Sequence, residues 1–365
     1  MSLRISGMGW VTPLGSGVTT VWERLLEQEQ PTAEPITSSI NQRSYRAFRV
    51  RAAALAAAPA HPRLRRSSAI SRFAVVAGLA ALDDAGVQLD AASAGRTAVI
   101  FAVSNGGVVY TKRFYHEVVE SGAQAASPLL FPETVFNAPA SHLAAILGIT
   151  GATYTLVGDG AVGLLAIKMA EDLMLNPELD RCLVVGSEET DWLLCDAYAR
   201  WRLLREAPPI EPFSHPARGT ILSEGAGALL LGRTGLEVIQ KVEAGCNFEN
   251  RRGAAECVDQ ILANLGASND DVIIASANGT FIDAAEEMAV RQQCPAASVY
   301  APKACLGESV GASGLWQVIC AVQALRARQL PTRSTTAAAP SFRRAIVSTC
   351  GLNQQVAGLA VARSH

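Results

Sequence analysis

Two stretches of the chain share one order of elements, and that order decides the fold. Residues 155–166 read TLVGDGAVGLLA, and residues 302–318 read PKACLGESVGASGLWQV. In each stretch a strand pattern leads into a turn of small residues and then into a helical pattern. Such a turn brings backbone N–H groups and a helix N-terminus to one point, where an oxyanion or a thioester carbonyl can bind. Local sequence leaves open a simpler interpretation, in which the glycines only permit close packing.

Outside these stretches, short apolar runs alternate with longer helical patterns, which predicts an α/β fold. Strands are predicted at residues 97–101, 182–185, 227–231, 272–275 and 356–361, and helices at 70–85, 161–174, 284–293 and 315–326. A second series of strand and helix patterns begins after residues 232–235. We therefore divide the chain into an N-terminal half, 1–234, and a C-terminal half, 235–365, without a linker long enough to separate independent domains.

The composition is that of an ordinary soluble protein. The chain has 365 residues, of which 49% are hydrophobic and 18% charged, enough apolar material for one large or two medium cores. Its formal net charge of -2 provides no long-range attraction to nucleic acid or anionic membrane. The arginines of residues 61–66 are interpreted as a solvated loop, with an acidic partner surface as the alternative.

The cysteine pattern and the N-terminus both favour the cytoplasm. None of the eight cysteines has the Cys-x-x-Cys spacing of a zinc or redox site, and several lie in apolar runs, where cysteine packs as a small hydrophobe. The first residues lack the apolar region of a signal peptide, and no apolar run is long enough to span a bilayer. We expect a cytoplasmic protein without a metal site or a membrane span.

Several short motifs recur in one characteristic order along nearly the whole chain. They are GMGWVTPLG at 7–15, FPETVFN at 131–137, the turn around Gly158, PFSH at 212–215, SEGAG at 223–227, NGT at 278–280 and KACLG at 303–307. Their order resembles the β-ketoacyl synthase family of the thiolase superfamily. The resemblance implies a thiolase-like layered α/β/α/β/α fold with two pseudo-repeated halves.

The resemblance also implies where the catalytic residues should stand, and here they are missing. Active members place a nucleophilic cysteine at the first turn and two histidines in the second half, whereas this chain has Gly158, Asn278 and Glu308 at those positions. Lys303 is retained. The five histidines, at 61, 116, 142, 215 and 365, fall on none of these positions. Glycine cannot form a thioester, and asparagine cannot relay a proton as imidazole can, so we expect no condensing chemistry from this chain alone.

Three further expectations concern the side chains around these positions. We expect Lys303 to pair with Glu308 or with Glu286, because an unpaired carboxylate in such a pocket is costly. Asp159 precedes a helical pattern and is interpreted as its N-cap. Cys305 and Cys350 are the alternative thiols, disfavoured because neither begins a helix beside a base.

The resemblance also suggests a substrate tunnel and its gate. The segment that reaches across the dimer in the family supplies tunnel-end candidates, with a plain core role as the alternative: Leu129, Leu130, Phe131, Thr134 and Phe136. Asn105 stands where an aliphatic side chain usually lines the acyl pocket, which disfavours a long saturated chain in this subunit. Leu352 stands where the gating loop usually has phenylalanine, and residues 353–354 replace paired glycines, so a swinging loop is not expected.

These observations predict a helper subunit. Family members work as dimers, and the chain-length factor of polyketide and aryl polyene systems lacks the nucleophile and pairs with an active ketosynthase. That class commonly has glutamine where this chain has Gly158, which leaves a decarboxylation role without support. We expect a heterodimer that meets the acyl carrier protein as a complex and needs no cofactor. The alternatives are a stand-alone acyltransferase or hydrolase with a different nucleophile, and a homodimeric acyl-binding scaffold.

Overall fold

The computed structural model describes residues 3–331 and 342–364. Its strands are β1 (Leu3–Thr12), β2 (Gly15–Ser16), β3 (Ala33–Thr37), β4 (Ser44–Phe48), β5 (Thr97–Val103), β6 (Thr153–Val157), β7 (Arg181–Glu188), β8 (Leu222–Ser223), β9 (Gly225–Gly232), β10 (Glu237–Glu243), β11 (Val272–Ile274), β12 (Ser298–Tyr300), β13 (Arg344–Cys350) and β14 (Val356–Arg363). Its α-helices are α1 (Val18–Leu26), α2 (Ala69–Asp84), α3 (Ala91–Gly95), α4 (Val108–Ser121), α5 (Ala138–Leu147), α6 (Val162–Leu173), α7 (Trp192–Arg200), α8 (Arg251–Asn264), α9 (Phe281–Gln293), α10 (Lys303–Leu306) and α11 (Ser313–Ala327). Short 3₁₀ turns lie at 52–55, 62–65, 123–125 and 131–134.

The large sheet is built from two copies of one strand pattern. Its order is β12-β11-β13-β14-β10-β1-β9-β7-β5-β6, with β2 paired to β1. In the first half β9 pairs antiparallel with both β1 and β7, and β5 pairs parallel with both β7 and β6. In the second half β10, β14 and β13 repeat the antiparallel part, and β13, β11 and β12 repeat the parallel part. The predicted α/β class with two repeated halves is confirmed.

Helices cover both faces of this sheet because its strands are apolar on both sides. Along β5, Ala98 and Ile100 belong to the core cluster that includes α6 and α11, whereas Val99 and Phe101 belong to the cluster that includes α2 and α5. Alternate residues of a strand point to opposite faces, so the unbroken apolar run of β5 fits a strand buried on both sides. Helices α8 and α9 form the corresponding outer layer of the second half, where they pack with β13 and β14.

The two central helices position the candidate site. Helix α6 follows β6, and α11 occupies the equivalent place after β12. The turns within residues 155–166 and 302–318 therefore lie at the starts of neighbouring helices. Gly163 of α6 and Gly314 of α11 face each other, because a Cβ built on Gly314 would lie 3.5 Å from Gly163 Cα. Close approach of these helices brings the two turns to one region.

The cysteines depart in one place from the sequence interpretation. Cys246 and Cys257 are joined by a disulfide, a pair that the expectation of a cytoplasmic protein without Cys-x-x-Cys spacing did not include. The other six are free and buried, as expected for cysteines in apolar runs. Within residues 3–331 and 342–364, none of the helices has the length and apolar character needed to cross a bilayer.

Candidate functional site

The first turn joins β6 to α6 and is held by one carboxylate. The N-cap position of α6 is Ala161, without a side-chain cap, so the interpretation of Asp159 as N-cap is wrong. The Asp159 carboxylate instead accepts hydrogen bonds from five backbone N–H groups: those of Gly160, Leu352, Asn353, Gln354 and Gln355. Four of these belong to the loop between β13 and β14, and a carboxylate is drawn to such a cluster of donors. Asp159 therefore fixes that loop to the turn.

Gly158 lies between this loop and the helix. Its N–H donates to Val103 O at 3.1 Å, which continues the pairing of β6 with β5. The next N–H, that of Asp159, donates to Gln355 Oε1 at 2.8 Å. A side-chain carbonyl of the same chain thus lies beside Gly158, the position where the resemblance leads us to expect the nucleophile of active members.

The second turn carries a buried ion pair. Lys303 Nζ lies 2.7 Å from Glu308 Oε2, and both side chains are 2% exposed. Lys303 also donates to Ser276 Oγ at 2.9 Å. The expected pairing of Lys303 is confirmed for Glu308, and the contacts of the described residues include no ion pair between Lys303 and Glu286. Burial of both charges in contact with each other avoids an uncompensated charge in the interior.

Asn278 completes this cluster and is fully engaged. Its Nδ2 donates to Glu308 Oε2 at 2.7 Å, and its Oδ1 accepts from Thr280 Oγ1 at 2.6 Å. The second oxygen of Glu308 accepts from Ser313 Oγ at 2.9 Å. Both oxygens of Glu308 and both ends of the Asn278 amide are thus used within the protein. Asn278 and Glu308 therefore stabilise each other, and the polar atoms that make these bonds are engaged inside the protein.

Two further buried carboxylates support this cluster. Asp283 accepts from the N–H groups of Asn278 and Gly279, and burial raises the pKa of its carboxyl. Glu286 accepts from the Ser276 N–H at 2.8 Å, and burial raises the pKa of Glu286 to about 7. The backbone N–H groups of the loop that bears Asn278 are therefore held by carboxylate side chains of α9.

The two turns meet at the end of β13. Ser276 Oγ donates to Cys350 O at 3.0 Å, which links the Lys303 cluster to this strand. On the other side, a Cβ on Gly160 would lie 3.1 Å from Gly351 Cα, and a Cβ on Gly351 would lie 1.9 Å from Asp159 Oδ2. The Cys350–Gly351 segment thus separates the two turns, and only glycine fits against Asp159 at position 351.

A cavity of about 410 Å³ opens on the first turn. Its lining residues are Ser104, Asn105, Val157, Gly158, Asp159, Leu194, Ala197, Tyr198, Trp201, Asn353, Gln354 and Gln355. Asn105 and Gly158 thus share one cavity, whereas Asn278, Lys303 and Glu308 are absent from its described lining. The cavity is lined by several polar groups, and the Trp201 side chain beside it is 60% exposed.

Asn105 owes its position to a buried glutamate. The N–H groups of Ser104 and Asn105 donate to the carboxylate of Glu188 at the end of β7. Burial raises the pKa of Glu188 to about 8. This contact fixes the backbone at the mouth of the cavity through the carboxyl group of a neighbouring strand.

The tunnel candidates lie on the surface of the single chain. Leu129, Phe131 and Phe136 are exposed, so the alternative of a core role is wrong for them, and Leu130 and Thr134 are partly buried. The Phe131 ring packs 5.7 Å from the Phe114 ring, and Phe136 covers Gly106, next to Asn105. Leu352 is partly buried and packs against two apolar clusters. The roles of these residues as tunnel end and gate stay predictions.

The alternative nucleophiles are poorly placed. Burial raises the pKa of the Cys305 thiol and raises that of the Cys350 thiol well above its usual range. Both thiols are therefore protonated at neutral pH, whereas the reactive form is the thiolate. His142 Nε2 contacts Glu133 Oε1 at 2.6 Å, and His215 Nε2 contacts Glu287 Oε2 at 2.8 Å, so each of these ring nitrogens has a carboxylate as its partner and not a thiol. His365 lies outside the described residues.

Comparison with known proteins places this fold and site in a family. The family model of the β-ketoacyl synthase N-terminal domain matches residues 2–235, and that of the C-terminal domain matches residues 235–336. The chain belongs to the β-ketoacyl synthase family. A curated relative is 3-oxoacyl-[acyl-carrier-protein] synthase 2 of Vibrio cholerae. It is 22% identical over an alignment 363 positions long, gaps included, which covers 90% of this chain and 86% of that protein.

Solved synthase structures share the fold over the whole chain. A chain of the ishigamide ketosynthase/chain length factor superposes with a TM-score of 0.86 at 20% identity, covering 100% of this chain and 99% of that one. A chain of the complex of a ketosynthase with its chain length factor from Xenorhabdus doucetiae gives 0.80 at 19% identity, with coverages of 100% and 98%. The thiolase-like ketosynthase fold is thereby established.

Proposed function

We propose that this chain is a non-catalytic β-ketoacyl synthase subunit. In this proposal an active ketosynthase carries out the condensation, and this chain pairs with it and helps to shape the acyl pocket. The growing product is an acyl, polyketide or aryl polyene chain carried by an acyl carrier protein. The division of the chain into halves at 1–234 and 235–365 and a cytoplasmic location belong to the same proposal.

One observation carries the proposal: the contents of the two turns. Gly158 offers no nucleophile, and Asn278 and Glu308 spend their polar atoms on each other and on Lys303 and Ser313. Condensation needs a thiolate and groups that polarise a thioester carbonyl. A chain with neither fits a role in which another subunit carries out the condensation.

The surface around β6 supports a partner of the same fold. Strand β6 is the last strand in the order of the sheet, and its Tyr154 and Val157 are exposed. Every residue of α4 is at least partly exposed, and Leu129, Phe131 and Phe136 extend the apolar patch beside it. An unpaired edge strand next to an exposed apolar patch is typical of an interaction surface. A synthase-like partner with its own edge strand can continue the sheet.

The test is co-expression with an active ketosynthase from the same genome, followed by native mass spectrometry with and without acyl donor. We expect a one-to-one mixed dimer in which acyl mass appears on the partner. Donor-derived mass on this chain, or thioester turnover by the purified chain alone, contradicts the proposal and supports an independent enzyme. A homodimer that persists in the presence of the ketosynthase supports the scaffold.

A charge on the edge strand tests the surface. Tyr154→Asp should weaken the mixed dimer by about tenfold or more, because it places a carboxylate in an apolar interface. Met288→Asp on α9 is the matched control, since Met288 is also exposed but lies in the outer helix layer of the other half. Equal affinities of the two variants would place the interface elsewhere.

A further inference from the structure

The space beside Gly158 is already occupied by this chain. A Cβ built on Gly158 would lie 2.8 Å from Gln355 Oε1 and 3.0 Å from Val162 Cβ. Real Cβ atoms do not approach an oxygen so closely, so any side chain at position 158 must displace the Gln355 carboxamide. The same Oε1 accepts the Asp159 N–H, which is a free donor at the start of the turn unless something accepts it.

The Gln355 side chain is delivered by a loop that is fixed on one side by Asp159. The backbone N–H groups of residues 352–355 all point to the Asp159 carboxylate, at 2.8–3.4 Å. The Gly351 N–H donates to Gln355 O at 2.7 Å, which closes the loop on itself. A loop with five ordered hydrogen bonds holds its side chains in few positions.

A second segment fixes the loop from the opposite side. Phe248 N–H donates to Gln354 O at 2.9 Å, and Val356 N–H donates to Cys246 O at 3.1 Å. Asn247 forms an isolated antiparallel bridge with Gln355 itself. The backbone of Gln355 is therefore held between residues 246–248 and the first turn.

We propose that Gln355 is an intramolecular cap, whose carboxamide occupies the position of the missing nucleophile and closes the first turn to a thiol or an acyl group. The cap rests on the proposed function in so far as Gly158 stands at the nucleophile position. It also extends that proposal: Gln355 lines the cavity beside Gly158, so an acyl chain that enters this cavity meets the Gln355 carboxamide. Gly158 and Gln355 form a dependent pair, in which a larger residue at one position requires a smaller one at the other.

The first experiment introduces a thiol at the capped position. Gly158→Cys should lower the thermal midpoint by about 2–4 °C, because the new side chain overlaps Gln355. Adding Gln355→Ala should recover at least half of that loss. Iodoacetamide should alkylate the introduced thiol about tenfold faster in Gly158→Cys/Gln355→Ala than in Gly158→Cys/Gln354→Ala, the matched control. Equal alkylation rates in the two double variants overturn the cap.

A second measurement keeps Gly158 and so does not depend on the stability of the cysteine variant. Amide hydrogen exchange at Asp159 should be about tenfold faster in Gln355→Ala than in Gln354→Ala, because only the first removes the acceptor of this N–H. Unchanged exchange at Asp159 in Gln355→Ala overturns the cap. Both measurements use the purified chain, whereas the proposed function is tested by the mixed dimer. Loss of the dimer with a protected Asp159 N–H would therefore contradict the proposed function alone.

Discussion

The two turns of this synthase-like chain are held in opposite ways. At the first turn Gly158 has no side chain, and a carboxamide from a loop 196 residues later along the chain covers the turn. At the second turn the carboxylate of Glu308 is buried, and Lys303, only five residues away, balances its charge. The first turn borders a cavity, and the second is closed by its own hydrogen bonds. A position without a side chain can thus be covered by a residue that is distant along the chain. A buried charge, in contrast, needs an opposite charge in direct contact with it.

The largest effect is expected at the second turn. Lys303→Met should lower the free energy of unfolding by about 3–5 kcal/mol, because Glu308 is then a buried carboxylate without its cation. Denaturant titration measures the loss. Lys303→Met/Glu308→Gln should recover more than half of it, since glutamine carries no charge, can accept the Asn278 hydrogen bond with its carbonyl oxygen and can donate its NH2 group to Ser313 Oγ. A loss below about 1 kcal/mol in the single variant would show that the pair is not what holds this turn.

The pH dependence of stability sharpens the comparison. The pKa of Glu286 is raised from 4.5 to about 7 by burial, so the folded chain keeps a proton that the unfolded chain has already lost within this window. Stability should therefore fall as pH rises from 4.5 to about 7 and then level off, by about 3 kcal/mol for this group. Glu286→Gln should remove this part of the fall.

Unfolding titrations at pH 5, 6, 7 and 8 make the measurement. Glutamine still accepts the Ser276 N–H, so the variant changes the charge and keeps the contact. Glu188→Gln at the mouth of the cavity extends the comparison to the first turn, where the window reaches about pH 8. Curves for the wild type and the Glu286→Gln variant that stay parallel across pH 5–7 would contradict the shifted pKa.

The smallest effect is expected at the first turn. Asp159→Asn should cost about 1.5–3 kcal/mol, because a neutral amide accepts the loop N–H groups more weakly than a carboxylate does. Exchange of the amides at 352–355 should increase together with that loss. Asp172→Asn is the matched control, because Asp172 is an exposed partner of Lys168 and such pairs contribute less than about 0.5 kcal/mol. Similar costs for the two variants would mean that Asp159 does not anchor the loop.

Much of the scaffold was predictable because its signals are local. The helical patterns predicted at 70–85 and 315–326 correspond to α2 and α11, and the apolar run at 97–101 lies within β5. Strand β10 and helix α8 were missed. Only three of the seven residues of β10 are buried, and α8 carries many polar residues, so neither has a strong apolar pattern. The boundary between residues 234 and 235 stays a prediction. Strands β1 and β10, one from each half, pair in the same sheet, so the sheet itself shows no break at that boundary.

Within the site, the sequence predicted a contact only where a buried charge needed an opposite charge close along the chain. Lys303 required an anion, and Glu308 was close enough along the chain to be named. Asp159 was misassigned because its position before a helix suggested a cap, whereas the N–H groups that it binds come from a loop after β13. Gln355 had no signal of its own. A glutamine in a polar loop looks the same whether it is solvated or fills a vacant position.

The sequence by itself determined the fold, the absence of a side chain at Gly158 and the need for a partner to Lys303. Those properties depend on residue type, on short spacing and on apolar patterns, which the chain carries locally. Only the tertiary structure decided that Gln355 covers Gly158, that Asp159 binds the loop and that Cys246 joins Cys257. These contacts bring together residues that lie on different elements, and their formation depends on how α6, β13 and β14 pack.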